Sequence, residues 1–162
     1  MKKIVLLILL LASGAFLYTQ QGDGKLLSVF ADDKASVPQL DNGALLQAIS
    51  RVEQEQSLAS RDALYQALNQ ASYLMPLREG NQGDAARNAF LATMDGQQYL
   101  TIYSDAAQLA LSKLNPAEVI EIDAASVWAI VLDSGHLAGA VLNPSANAIP
   151  LDKDRIRRIS QH

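Results

Sequence analysis

Asp133-Ser134-Gly135-His136 places a carboxylate, a hydroxyl and an imidazole within four positions. These are the parts of a nucleophilic hydrolase, in which His takes the Ser proton and the acid orients the His. The spacing argues against that use. Base and nucleophile must face each other across a site, so triads are assembled from residues distant in sequence. The strand–Gly-x-Ser-x-Gly–helix elbow that presents a Ser nucleophile is missing. The same four residues suit a helix-to-strand loop, where Asp and Ser accept local backbone bonds and Gly turns the chain. No catalytic residue is assigned. An enzyme of unrecognised, hydrolytic type, using His136 with a distant acid and hydroxyl, is the alternative reading.

Metal and cofactor chemistry find little support. The second histidine, His162, is more than twenty residues from His136, a poor basis for a metal set. There is no cysteine, which excludes disulfides, thiolate ligands and cysteine nucleophiles. Asp32-Asp33 and Asp152/Asp154 lack the Gly and terminal Glu of a calcium loop. Gly22-Asp23-Gly24 is too short and polar for a phosphate loop. Neither metal nor cofactor is expected.

Binding is better served. Asn143-Pro144-Ser145 reads either as a recognition loop at a strand end or as a turn that Asn closes and Pro stops. Tyr65, Tyr73, Tyr99, Tyr103 and Trp128 are candidate pocket liners, with Trp128 in the most apolar helical stretch and better read as core. Tyr99, Thr101 and Tyr103 alternate along one strand face and would form a half-exposed contact surface. The candidate binding residues are therefore Tyr99, Tyr103, Asn143 and Pro144.

The elements that must position them follow from pattern. Asp41 or Asn42 can cap a first helix carrying Leu45, Leu46, Ile49 and Val52 on one face. Ser60 reads as the cap of a second, with Ala63, Leu64, Ala67, Leu68 and Ala71 as its stripe. Tyr73 to Leu77 reads as an edge strand, because Pro76 cannot donate to a ladder. Residues 79–88 are a loop. Asp95-Gly96 between two apolar runs predicts a hairpin with a type I′ turn. Ser104 caps a helix over 105–114, Val119 to Ile122 is a strand, and Ala124 to Leu132 is a buried helix. Ala138 to Leu142 is a strand, and a last helix runs from Asp152 through Ile159. The expected class is α+β: one domain, a small mixed or antiparallel sheet and packed helices, spanning 41–162 after a flexible linker over 19–40. Leu26, Leu27, Val29 and Phe30 interrupt that linker and read as a short docking segment or a membrane-proximal patch.

Lys2-Lys3 followed by Ile4 to Ala12 and then Ser13-Gly14-Ala15 has the layout of a secretory signal. Cleavage after Gly14 or Ala15 is one outcome. The other is an uncleaved anchor: Ile4 to Tyr18 makes about 22 Å of helix at 1.5 Å per residue, against a hydrocarbon core of about 30 Å. Either outcome exports the domain, to the periplasm or cell envelope. Membrane contact is expected only through residues 4–18, and only if they are retained.

Charge narrows the partners. The 162-residue chain has a net charge of −4, and without Lys2 and Lys3 the balance is 11 basic against 17 acidic residues. Nucleic-acid binding needs clustered cations, and the only cluster, Arg155, Arg157 and Arg158, is offset by Asp152 and Asp154. An unidentified protein partner is the expectation that is left.

Three segments in order carry a resemblance: Tyr73-Leu74-Met75-Pro76-Leu77, then Asp95 to Asp105, then Ala140-Val141-Leu142-Asn143-Pro144. Together they resemble the N-terminal domain of the SseB family over about residues 42–160. The resemblance implies a compact α+β domain and supplies no catalytic residues and no settled activity. Larger family members carry a second, C-terminal domain, for which this chain has no room, and members are commonly intracellular, so the leader is a departure. The expected function is a non-catalytic protein-binding module of the cell envelope.

Overall fold

The computed structural model describes residues 36–80 and 88–162. The predicted signal or anchor, most of the predicted 19–40 linker and most of the predicted 79–88 loop lie outside the described residues.

Two helices come first, α1 (Gly43–Glu55) and α2 (Leu58–Gln70), packed on each other. Asn42 stands at the α1 N-cap as expected, but its side chain makes no capping bond. Leu45 and Ala48 are buried, whereas Leu46 is 44% exposed, so the apolar stripe is narrower than predicted. Gln56 in a left-handed conformation ends α1. The α2 cap is Ser57, three residues before the expected Ser60. The two serines form a capping box, in which Ser57 Oγ accepts the N–H of Ser60 and Ser60 Oγ accepts the N–H of Ser57. Ser60 then joins Leu64 and Leu68 on the buried face at i, i+4, i+8.

The strands follow: β1 (Ser72–Leu77), β2 (Leu91–Met94), β3 (Gln97–Ile102), β4 (Glu118–Asp123), β5 (Leu137–Leu142) and β6 (Ile149–Asp152). Helix α3 (Ala106–Leu111) precedes β4, α4 (Ala124–Asp133) precedes β5, and α5 (Lys153–Ile159) follows β6. Sheet order is β2-β3-β5-β6, with β3 and β5 parallel and the other pairs antiparallel; β1 and β4 form a second, antiparallel pair. The class is α+β with a mixed sheet, as predicted. Asp95 and Gly96 both have positive φ, +50° and +75°, as a type I′ turn requires.

β1 is not the edge strand that Pro76 suggested. It ladders with β4 on one side and bridges Tyr103 and Ala89 on the other. Leu74 exchanges both backbone bonds with Tyr103, and Pro76 O accepts from Phe90 N. Strand alternation puts the missing Pro76 N–H on that bridged side, where the ladder is interrupted, so no β4 bond is lost. The structure also adds β6, immediately before the last helix. Gly139 allows it: a Cβ there would sit 2.2 Å from the backbone oxygen of Leu151.

The main core lies between the helices and one sheet face. It holds Leu45 and Leu68, Tyr73 and Met75, Leu100 and Ile102, Val127 and Trp128, Leu142 and Leu151, and Ile156 and Ile159. Trp128 is core as expected; its Nε1 donates to Asn69 Oδ1 and its ring leans on Tyr73. A smaller cluster, Leu74, Tyr103, Leu109 and Val119, lies outside that core, with Leu40 and Leu114 against it. β1 therefore contributes to both clusters.

Candidate functional site

The four residues chosen from sequence do not form one exposed surface. Tyr103 is 1% exposed, enclosed with Leu74, Leu109 and Val119, so it shares no open face with Tyr99. The cause is α3, which follows directly on Tyr103 and puts Leu109 against it. Burial pushes the Tyr103 phenol above its ordinary pKa, partly offset by the hydroxyls of Ser112 and Ser145. Tyr99 and Pro144 are half-buried.

Asn143 is 7% exposed and is a structural lock. It adopts φ +53°, which Asn tolerates better than most residues. Its backbone N–H donates to Ile102 O at 2.9 Å, closing the β3–β5 pairing. Its Oδ1 accepts the Ser104 N–H at 3.0 Å, and its Nδ2 donates to Ser104 Oγ at 3.0 Å. Ser104 Oγ donates to Asp105 Oδ2. Asn42 Nδ2 reaches the same node, donating to Ser104 O at 2.7 Å and Ser72 O at 2.6 Å. The expected helix cap at Ser104 is Asp105, whose Oδ1 accepts the Gln108 N–H.

Ser134 and His136 are brought together, with Ser134 Oγ 3.1 Å from His136 Nδ1. The contact belongs to the turn: the same oxygen accepts the N–H groups of His136 and Leu137. His136 is exposed, and among the described residues no carboxylate bonds to it. A serine engaged by two backbone donors on an open loop is held as a turn residue.

A cleft elsewhere has the geometry of a binding site. It encloses about 330 Å³ between α1, α2, the β5–β6 connection, β6 and α5. Ile49, Val52, Leu64, Leu68, Ile149 and Leu151 line it with apolar surface; Glu53, Arg61, Tyr65, Asn147 and Arg155 supply the polar groups. Each helix contributes through its period. Ile49 and Val52 lie one turn beyond the buried Leu45 and Ala48, and Arg61 and Tyr65 flank the Leu64/Leu68 stripe. Asn147 Nδ2 donates to Glu53 Oε1 at 3.1 Å, tying the β5–β6 connection to α1. Arg155 Nη1 donates to Pro150 O at 2.7 Å, while its Nε is buried and has no partner. Arg61 pairs with no carboxylate among the described residues, where the ion pairs are Arg51–Glu55 and Arg157–Asp154. The lining thus holds two guanidinium groups and one carboxylate already engaged by an amide. Such a site can hold an apolar group with a hydrogen-bond acceptor or negative charge beside it.

With the cleft and the core placed, comparison with known families is decisive on ancestry. The family model described as the SseB protein N-terminal domain matches residues 45–158. The chain belongs to the SseB family. No curated protein and no solved structure matches it. The matched region of this SseB domain runs from α1 into α5 and so includes every wall of the cleft.

Among the described residues of the SseB domain, no cluster of His, Asp or Glu is arranged to hold a metal ion, and no helix is long and apolar enough to cross a membrane. Of the five aromatic candidates, Tyr65 alone lines the cleft; Tyr73, Tyr103 and Trp128 are core. Arg61, Asn147 and Ile149 carry no joint signal in the sequence because they come from three separate elements. The usable signal was Arg155 in its basic cluster, and the excess apolar residues Ile49 and Val52 on α1.

Proposed function

We propose that this SseB domain is a non-catalytic interaction module of the cell envelope, exported by its N-terminal segment and docking a protein partner at the α1–α2–β6 cleft. The observation that carries the reading is the cleft itself. It is a concave, mostly apolar surface with a few convergent polar groups, while the only serine–histidine contact among the described residues is a turn. Lys2-Lys3 and the apolar run after them support export, to the periplasm or as an anchored envelope protein. Tyr99 and Pro144, the two half-exposed residues of the sequence-derived set, are the rival docking surface.

The test is in-cell cross-linking of the full-length chain with a C-terminal tag, followed by identification of captured proteins and the intact mass of the bait. The expected result is a reproducible partner that survives Tyr99→Glu and disappears with Ile149→Glu. Loss with Tyr99→Glu instead moves the surface to β3. A partner indifferent to both substitutions, or none, overturns the module reading. The bait mass shows whether residues up to Gly14 or Ala15 are removed. A bait confined to the cytoplasm overturns export.

A further inference from the structure

We infer that the cleft recognises an acidic–apolar segment of its partner: one or two large apolar side chains with a carboxylate beside them. This rests on the reading of the cleft as the partner's seat and adds the chemistry of the ligand. Three observations carry it.

The first is charge. The chain is net negative, yet the cleft is lined by Arg61 and Arg155, and its single carboxylate, Glu53, already accepts from Asn147. A locally cationic site on an acidic protein repels few anionic partners at contact range and selects for them through complementarity. The second is hydrogen-bonding capacity. Arg155 is anchored by one nitrogen to Pro150 O, which fixes the guanidinium, while its buried Nε donor is unused. A carboxylate matches the planar guanidinium fork in geometry and charge. The third is size. About 330 Å³ stands at the lower end of the ~300–1,000 Å³ typical of ligand clefts, which suits one or two side chains. The apolar lining then receives those side chains while the arginines receive the acid.

The test uses the full-length chain in detergent micelles and rhodamine-labelled, end-capped peptides read by fluorescence polarisation: Ser-Glu-Leu-Leu-Glu-Ser, its Gln-for-Glu counterpart and its Ser-for-Leu counterpart. The acidic–apolar peptide is expected to bind, and the Gln peptide about tenfold more weakly, the lower end of what a charge-assisted hydrogen bond supplies. The Ser peptide should not bind. Arg61→Gln, at an exposed position that does not carry the fold, should narrow the Glu-over-Gln preference. Arg155→Gln should narrow it further. Added salt should weaken the acidic peptide more than the neutral one. Equal affinity for the Glu and Gln peptides, binding insensitive to both arginine substitutions, or no binding by any peptide overturns the inference. The interaction-module reading falls separately, if the cross-linked partner is indifferent to both Tyr99→Glu and Ile149→Glu.

Discussion

The Asn143–Ser104–Asn42 node and the α1–α2–β6 cleft are both places where polar groups meet apolar surroundings, and they are resolved in opposite ways. At the node every named polar group is used. Both ends of the Asn143 amide, the Ser104 N–H and hydroxyl, and the Asn42 amide all have partners within 3.0 Å. A fully satisfied buried network rigidifies the fold and leaves nothing to offer a ligand. In the cleft, by contrast, Ile49, Val52 and Ile149 are only half-buried, one arginine lacks a carboxylate, and another has an unused buried donor. The difference teaches that a buried Asn-Pro at a strand end is better explained by the bonds it completes. Residual capacity for a partner is found where groups are left over.

The comparison can be broken most forcefully at the node. Asn143→Ala removes both amide bonds to Ser104, leaves buried groups unpaired and places Ala at positive φ; unfolding free energy should fall by about 3 kcal/mol in denaturant titrations. Asn143→Gly keeps the backbone conformation and should lose less. If Asn143→Ala leaves stability unchanged but abolishes partner capture, the assignments of the two regions are exchanged.

Gly139→Ala comes next and couples the regions, since β6 carries Ile149 and Leu151 into the cleft. The new Cβ meets Leu151 O at 2.2 Å, so β6 must shift, at roughly 1–3 kcal/mol by analogy with overpacking. Hydrogen exchange of β6 amides should accelerate more than that of β3, and partner capture should drop with it.

Tyr73→Phe deletes the buried hydroxyl that donates to Leu68 O at 2.6 Å and should destabilise by about 1 kcal/mol. Burial also raises the Tyr73 and Tyr103 phenol pKa values above the ordinary 10.0. Folding therefore favours their protonated forms. Their contribution is fully present below about pH 10 and is lost as pH rises through the range above it, because the unfolded phenols ionise first. Alkaline unfolding should move to higher pH in Tyr73→Phe.

Smallest in stability is Val52→Glu. Val52 is half-buried at the cleft, so melting should change by about 0.5 kcal/mol or less, the usual range for surface sites, while partner capture is lost. At α4, Asp123 accepts from Ser126 N and Oγ, which holds its carboxyl below the ordinary range. Its contribution is present above the unfolded pKa and fades as pH falls through the folded one. Asp123→Asn should flatten that acid limb slightly in pH-dependent unfolding.

Much of this architecture was readable from local pattern. The type I′ turn at Asp95-Gly96 needs only two residues that accept positive φ. Helices α1, α2, α4 and α5 follow from apolar spacing, and the order of Tyr73 to Leu77, the hairpin and Asn143-Pro144 carried the family. The errors share a cause. Leu46 carries the same apolar signature as Leu45, yet only contact with the body separates 44% exposed from buried. Tyr103 alternates with Tyr99, but α3 folds onto one and not the other. Pro76 signals an edge until the bridged side of β1 absorbs its missing donor.

The sequence by itself determined the class of fold, the turn, the family and the acidic charge, because each depends on neighbours a few residues away or on totals. Tertiary structure alone decided that β1 lies between partners, that Asn143 locks Ser104, and that Arg61 and Arg155, distant in sequence, line one cleft with Ile49, Val52 and Ile149. Those facts arise from long-range packing, and no local pattern of side chains records which distant surfaces will meet.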